Sequence, residues 1–297
     1  MNRQSETPGG WVHLDGAVNV RDLGGLRTED GHQTRNRRLL RADNLQDLSA
    51  ADVRLLLDDL GVRQILDLRT AAEIELEGPG PLTREPRVSI REFTLYPEAG
   101  KRTDALTENV TGVSAVPGAD QLPWTSGRAE PPPIDADETP AVIHYLGYLR
   151  HASANIVGSL RAIAEQPDGA TLVHCAAGKD RTGTVIALAL LVAGVRRDDV
   201  VADYARSGEV IDKVMARLAS TTTYAADVSD ADGNPVTDIN MDPATWAAIA
   251  NRQRPRAHTM QRLLEILDER AGGAITWLTG AGLTGQEQQA IRARLLN

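Results

Sequence analysis

The sequence predicts an α/β domain: a mainly parallel central sheet flanked by helices, with a helical C-terminal half. Three observations carry this reading. Two short apolar runs, "VRQILDL" (62–68) and "ATLVHC" (170–175), have the length and content of buried strands. Each precedes a helical pattern, "AAEIELE" (71–77) and "RTGTVIALALLVAGV" (181–195), and this alternation builds parallel sheets. Past residue 196 only helical periodicities recur. At 297 residues with no internal repeat, the chain has room for a large core, and one domain spanning 1–297 is expected.

Taken in order, "MNRQSETPGG" (1–10) lacks the apolar core of a secretory leader and reads as a loose tail. Ser49 has Asp52 three residues on, and Val53, Leu56, Leu57 and Leu60 form one apolar stripe before Gly61, the pattern of a capped helix. The strand at 62–68 follows, then the helix at 71–77, which "GPGP" stops. "VSIREFTLY" (88–96) is a further strand candidate. Periodicity fails from 97 to 140, where Pro97, Pro117, Pro123, Pro131, Pro132, Pro133 and Pro140 mark an irregular insertion.

Residues 141–166 read as one helix, with Val142, Leu146, Leu149, Ile156, Leu160 and Ile163 on a broad apolar face. "RDDVVADY" and "EVIDKVMARLA" are helical, 221–243 is polar and turn-rich, and "HTMQRLLEILDER" (258–270) is amphipathic. The longest apolar run, Val185 to Val195, is too short to cross a bilayer and reads as a buried helix, so no stable membrane insertion is expected.

Basic and acidic residues give 32 − 41 = −9, which excludes general attraction to nucleic acid or an acidic membrane. An anionic substrate would therefore need a local basic site. One cysteine cannot form an intramolecular disulfide, so the fold does not depend on an oxidising compartment. A cytoplasmic location is expected, with export by a non-classical route left open. The Ala/Arg/Asp-rich, Lys-poor composition suggests a bacterium with a GC-rich genome. Nothing in the sequence bears on oligomeric state.

That one cysteine sits in "LVHCAAGKDRTGTV" (172–185), between a strand end and a helix start. Loop amides and the helix N-terminus there favour an anion, and the same field should lower the thiol pKa and hold Cys175 as a thiolate. Arg181 can grip two phosphate oxygens in its planar fork. Gly178 allows a backbone conformation and a close approach that a β-carbon blocks. Thr182 can donate a hydrogen bond toward the sulfur, and His174 fixes the loop through its ring. A nucleophile beside a phosphate cradle implies in-line attack on phosphorus and a phosphocysteine that water clears, with no metal and no cofactor.

Other readings are weaker. A lone cysteine at a strand end is ordinarily a buried hydrophobe, but Cys and Arg six apart, with His before and Thr-Gly after, argue against that. A nucleotide-binding loop would need Gly at Val173 and Ser or Thr at Asp180. A sulfur-transfer enzyme could present a loop cysteine, yet the downstream Arg-Thr-Gly favours phosphate. Six scattered histidines and one cysteine offer no metal-ligand spacing.

"HCAAGKDRTG" (174–183) resembles the His-Cys-x5-Arg-Ser/Thr motif of the cysteine-based phosphatases, and in particular the atypical bacterial tyrosine/lipid phosphatase subgroup of the mycobacterial type. "NVRDLGG" (19–25), "LLRADNLQDLS" (39–49), "ILDLRTAAEIELEGPG" (65–80), "VADYARS" (201–207) and the ending from Thr259 to Leu296 fall in that family's order. The resemblance covers nearly the whole chain except 97–140 and much of 220–250.

The resemblance implies a cysteine-phosphatase P-loop fold with a helical lid, here about 208–254, and phosphotyrosine proteins, with phosphoinositides or phosphoserine/threonine as wider substrates. It makes Cys175 the nucleophile, and Ala176, Ala177, Gly178, Lys179, Asp180 and Arg181 the phosphate loop, with Lys179 and Asp180 shaping substrate choice and proton handling. It places the general acid at Glu98, with Asp104 second and Asp180 third. Asn19, Arg21 and Asp22 either buttress the phosphate loop or form an Arg–Asp pair that closes the turn before Gly24. Asp67 and Arg69 fall at the sheet's expected ligand edge, and Lys101 and Arg102 could meet acidic substrate groups. A phosphate-binding pseudoenzyme is the alternative of another class, and a mainly phosphoinositide phosphatase the alternative within it.

Overall fold

In the structure, a computed structural model, residues 10–96, 138–225, 228 and 241–297 are described. Five strands, β1 (Arg21–Asp22), β2 (Leu39–Ala42), β3 (Val62–Asp67), β4 (Ser89–Glu92) and β5 (Ala170–His174), form one sheet in the order β1-β2-β5-β3-β4. All neighbours are parallel except β1 with β2. The mainly parallel sheet expected from sequence is therefore present, with β5 at its centre. In register, Val173 lies between Arg41 of β2 and Leu66 of β3.

Because side chains alternate along a strand, the sheet buries two faces in two different cores. Leu40, Ile65 and Leu172 pack with Leu56, Leu57 and Leu60 on one side. That side is covered by α1 (Ala50–Arg54), whose Ser49/Asp52 capping box forms as expected. The stripe then continues as a π-helical turn, Leu55–Asp59, in place of the single α-helix the sequence suggests. Leu60 N–H reaches Leu55 O at 3.0 Å, and widening the turn lets Leu56, Leu57 and Leu60 all face the sheet.

Leu39, Leu66, Leu68 and Val173 point the other way, into a larger core of helices. After α2 (Ala71–Glu77), which ends at Gly78 as expected, these are α3 (Pro140–His151), α4 (Ser153–Glu165), α5 (Asp180–Ala193) and α6 (Arg197–Arg206). The helix expected over 141–166 is thus two helices. Ala152 leaves helical geometry at φ −124°, so that α3 packs on the later helix at 257–271 while α4 packs on the one at 285–295. Nearly all of α5 is buried, as an apolar-all-round helix should be.

The chain continues through α7 (Ile211–Ser220), α8 (Pro243–Arg252), α9 (Ala257–Ala271), α10 (Ala274–Gly280) and α11 (Gly285–Leu295). Ile211 and Met215 of α7 and Ile249 and Ala250 of α8 share a third, small apolar cluster with Val228. Among the described residues no helix is long and apolar enough to cross a membrane.

Four further differences from expectation are local. Gly10 is not loose, since its carbonyl accepts from Asp22 N–H at 3.0 Å. The strand expected over 88–96 is limited to Ser89–Glu92. Strands β1 and β2 were not anticipated, because two and four residues give no periodicity to read. Pro140, the last residue of the irregular stretch expected from sequence, is instead the first residue of α3, which Thr139 caps.

Candidate active site

The C-terminal ends of β2, β5 and β3 lie side by side, and the chain leaving β5 forms the loop Cys175–Lys179 before α5 begins at Asp180. This is the edge where an open parallel sheet receives ligands. Gly178 takes φ +65°, and a β-carbon there would lie 2.4 Å from Ala42 O. Only glycine fits both the dihedral and the space.

The loop's carbonyls are taken up by the surrounding protein. Ala176 O accepts from Asn44 N–H (2.9 Å) and Ala177 O from Asn19 Nδ2 (3.0 Å). Gly178 O accepts from Asn19 Nδ2 (3.2 Å) and Arg41 Nη2 (2.7 Å), and Lys179 O from Gly183 N–H (2.9 Å). With the carbonyls fixed outward, the amides of 176–179 have no protein acceptor among the described residues and are left for an anion. The sequence-predicted loop residues Cys175, Ala176, Ala177, Gly178, Lys179, Asp180 and Arg181 are thus gathered around one spot.

Cys175 is buried at the loop's start, and Thr182 Oγ1 donates to its Sγ at 3.1 Å, the bond expected from sequence. His174 lies 3.4 Å from Cys175 O through Nδ1 and 3.5 Å from Asp67 Oδ2 through Nε2, so its ring ties β5 to β3. Burial works to raise the Asp67 carboxyl, but the charges of Arg69 and His174 and their hydrogen bonds hold it well below the usual carboxylate range. Arg69 grips Asp67 at 2.7 Å and reaches Asn44 at 3.2 Å, which places both residues in the wall beside the loop.

Arg181 is itself gripped. Glu73, fully buried in the first turn of α2, accepts from Arg181 Nη1 at 2.7 Å and Nη2 at 2.8 Å. The same carboxylate also accepts from Thr70 N–H (2.8 Å) and the Tyr224 hydroxyl (3.0 Å). Burial would lower the Arg181 guanidinium, but Glu73 and then Cys175 outweigh it and hold the pKa well above the ordinary value. Arg181 Cζ also stands 5.3 Å from the Tyr96 ring centre.

Behind the loop, Arg21 and Arg41, both fully buried, share the carboxylate of Asp203 in α6 at 2.8 and 2.6 Å. Burial acts to raise the Asp203 carboxyl, and the two guanidinium charges pull it below its ordinary value instead. Arg21 Nη1 also donates to Asn19 Oδ1 at 2.7 Å, aiming the Asn19 amide at the loop carbonyls. Asn19 and Arg21 therefore buttress the loop. The Arg21–Asp22 pair considered from sequence is not formed. Asp22 instead accepts from Gly24 N–H (3.1 Å) and Arg37 N–H (2.8 Å), closing its own turn away from the loop. Side chains alternate across a strand, so neighbours in β1 cannot face one partner.

Lys179 Nζ donates to Gln253 O (2.8 Å) and Oε1 (3.2 Å), just past α8, and lies 3.5 Å from Asp180 Oδ2. Together with Tyr224 on Glu73 and Arg217 of α7 on Asp43, this brings the described parts of 208–254 against the loop and its neighbours. Asp180 Oδ1 accepts from the Tyr145 hydroxyl at 2.5 Å. Glu98, Asp104, Lys101 and Arg102 lie outside the described residues.

Sequence reasoning missed Glu73, Arg41, Asp203, Tyr145, Tyr224 and Gln253 as parts of the site. Only Glu73 carried a local signal: Thr70-x-x-Glu73 is a capping box, and it forms.

The sequence model of the tyrosine phosphatase family matches residues 12–297. The chain is 30% identical over 291 residues to the triple specificity protein phosphatase PtpB of Mycobacterium tuberculosis, covering 95% of this chain and 98% of that protein. It is 28% identical over 256 residues to a tyrosine-protein phosphatase of Nostoc commune, covering 86% of this chain and 73% of that one.

Proposed function

The chain belongs to the tyrosine phosphatase family, and on that footing we propose that it hydrolyses phosphotyrosine in proteins through a phosphocysteine formed on Cys175. Membership makes it a phosphatase, a hydrolase of phosphoric monoesters. The observation that carries the mechanism is how the loop is tied: its carbonyls accept from Asn19, Arg41 and Asn44, and its amides, with no acceptor among the described residues, are left for an anion beside Cys175.

In this reading the Cys175 thiolate attacks phosphorus in line with the leaving oxygen. The loop amides and Arg181 hold the three equatorial oxygens, and their positive charge does the electrostatic work. Thr182 keeps a hydrogen bond on the sulfur, which favours its return as a thiolate when water cleaves the phosphocysteine. The leaving oxygen needs a proton. Sequence pointed to Glu98, then Asp104, then Asp180. Among the described residues Glu73 and Asp67 hold their carboxyls buried against Arg181 and Arg69, whereas Asp180, the first residue of α5, keeps its side chain 35% exposed beside the cradle, which supports Asp180 in that role.

Lys179 supports wider specificity. Its ammonium, on the loop's last residue, is held by neutral oxygens of Gln253 and by Asp180, so a second phosphate or an inositol phosphate can replace Gln253. Hydrolysis of phosphothreonine peptides and phosphoinositides follows from this, and the triple specificity named for the mycobacterial relative agrees with it.

Phosphate release in EDTA from a phosphotyrosine peptide, a phosphothreonine peptide and a phosphoinositide tests the reading. Wild type is expected to turn over all three, phosphotyrosine fastest, and Cys175→Ser none. A folded wild type that binds phosphopeptide without turnover would leave the pseudoenzyme reading standing instead.

A further inference from the structure

Asp180 does not stand alone at the rim of the cradle. The Tyr145 hydroxyl, buried in α3, lies 2.5 Å from Asp180 Oδ1 and 2.6 Å from the Tyr204 hydroxyl of α6. A phenol has one proton to give. Since a carboxylate only accepts, the ordered arrangement is Tyr204 donating to Tyr145 and Tyr145 donating to Asp180 Oδ1. The two rings meet edge to face at 6.2 Å between centres, and Tyr148 stacks on Tyr145 at 5.9 Å, so neither hydroxyl is free to swing.

We propose that Tyr145 is a positioning residue for proton transfer: it occupies Asp180 Oδ1 as a permanent donor and leaves Oδ2 as the oxygen that carries the working proton. This rests on the reading of Asp180 as general acid. With Oδ1 committed, a proton on the carboxyl sits on Oδ2, the oxygen that faces Lys179. In the first step Oδ2–H passes its proton to the leaving oxygen as the P–O bond breaks and the S–P bond forms. In the second, Oδ2 takes a proton from the water whose oxygen attacks phosphorus, the S–P bond breaks, and the thiolate, phosphate and a protonated Asp180 result. Tyr145 keeps its proton throughout, since burial and then the Asp180 charge push its pKa well above 10. Among the described residues the other groups around Asp180 are Lys179, Tyr204 and, further off, Tyr96 and Tyr148.

A leaving-group comparison separates positioning from simple structural support, because a general acid matters most when the leaving oxygen is basic. Rates of Tyr145→Phe and Asp180→Asn are compared with wild type on a phosphotyrosine peptide, a poor leaving group, and on p-nitrophenyl phosphate, a good one. Asp180→Asn is expected to lose about 100-fold on phosphotyrosine and far less on p-nitrophenyl phosphate. Tyr145→Phe should show the same bias at lower size, about tenfold against about twofold. Tyr204→Phe, which keeps the Tyr145–Asp180 bond, should show a weaker bias still, and melting curves check that each variant folds. If Asp180→Asn is biased while Tyr145→Phe slows both substrates equally, Tyr145 is structural and Asp180 keeps its role. If Asp180→Asn shows no bias, both assignments fall together.

Discussion

Replacing Glu73 by Gln leaves the shape of the side chain and removes a charge on which four donors of the described residues converge. Oε1 accepts from Arg181 Nη2 and the Tyr224 hydroxyl, and Oε2 from Arg181 Nη1 and Thr70 N–H. A glutamine amide keeps one acceptor oxygen, so in either orientation two of these donors face an NH2 group that cannot accept. One of the two is always an Arg181 N–H. The guanidinium, 8% exposed, then stays buried without its counter-charge beside a fully buried partner. Breaking a buried pair from one side costs about 3–5 kcal/mol. For a chain of this size that is a fall of about 10 °C in melting temperature. Urea unfolding followed by tryptophan fluorescence reads the first quantity and calorimetry the second. The kcat/KM should drop at least about tenfold, because Arg181 loses the fork that aims it. Inorganic phosphate should recover part of the stability by supplying the missing charge. A loss below about 1 kcal/mol would refute the reasoning, since no desolvated Arg–Glu pair can be opened that cheaply.

Thr182→Ala removes the donor to Cys175 Sγ and should slow breakdown of the phosphocysteine about tenfold, seen as a burst of leaving group before a slower steady state. Gly178→Ala places a β-carbon 2.4 Å from Ala42 O at φ +65° and should cost well over 1 kcal/mol by denaturant titration, with phosphate affinity lost as well. The depressed Asp67 carboxyl is worth most to stability above the unfolded value of about 4, and that share is lost as pH falls through the folded one. Asp67→Asn should therefore destabilise by about 3 kcal/mol at pH 7 and by progressively less below pH ~4, measured by urea titration across pH.

What could be read from sequence was what lies close together in it. Cys175, Arg181, Thr182 and His174 fall within nine consecutive positions, and loop-to-helix geometry follows directly from that spacing. The partners that hold the loop come from far away: Asn19 lies 158 residues from Ala177, its first acceptor, and Arg41 137 from Gly178. A single Arg or Asp in a strand or helix looks the same whether it faces solvent or a buried carbonyl, so Arg41 and Asp203 gave no signal. The main helices and the strands at 62–67 and 170–174 were legible because apolar spacing sets them. The break at Ala152 was not, because nothing in "RHASAN" forbids a helix; it is packing on α9 and α11 that divides α3 from α4.

The third apolar cluster, shared by α7, α8 and Val228, stands apart from the two cores that clamp the sheet. Its few side chains set a separate, smaller energy for opening this region than for melting β5 or α5. Backbone amides of 211–220 and 243–252 should therefore exchange with deuterium by local opening, long before those of the central strand. The cradle and the segment that presses on it would then sit on two rungs of one stability ladder, and substrate could come and go without the loop losing its shape.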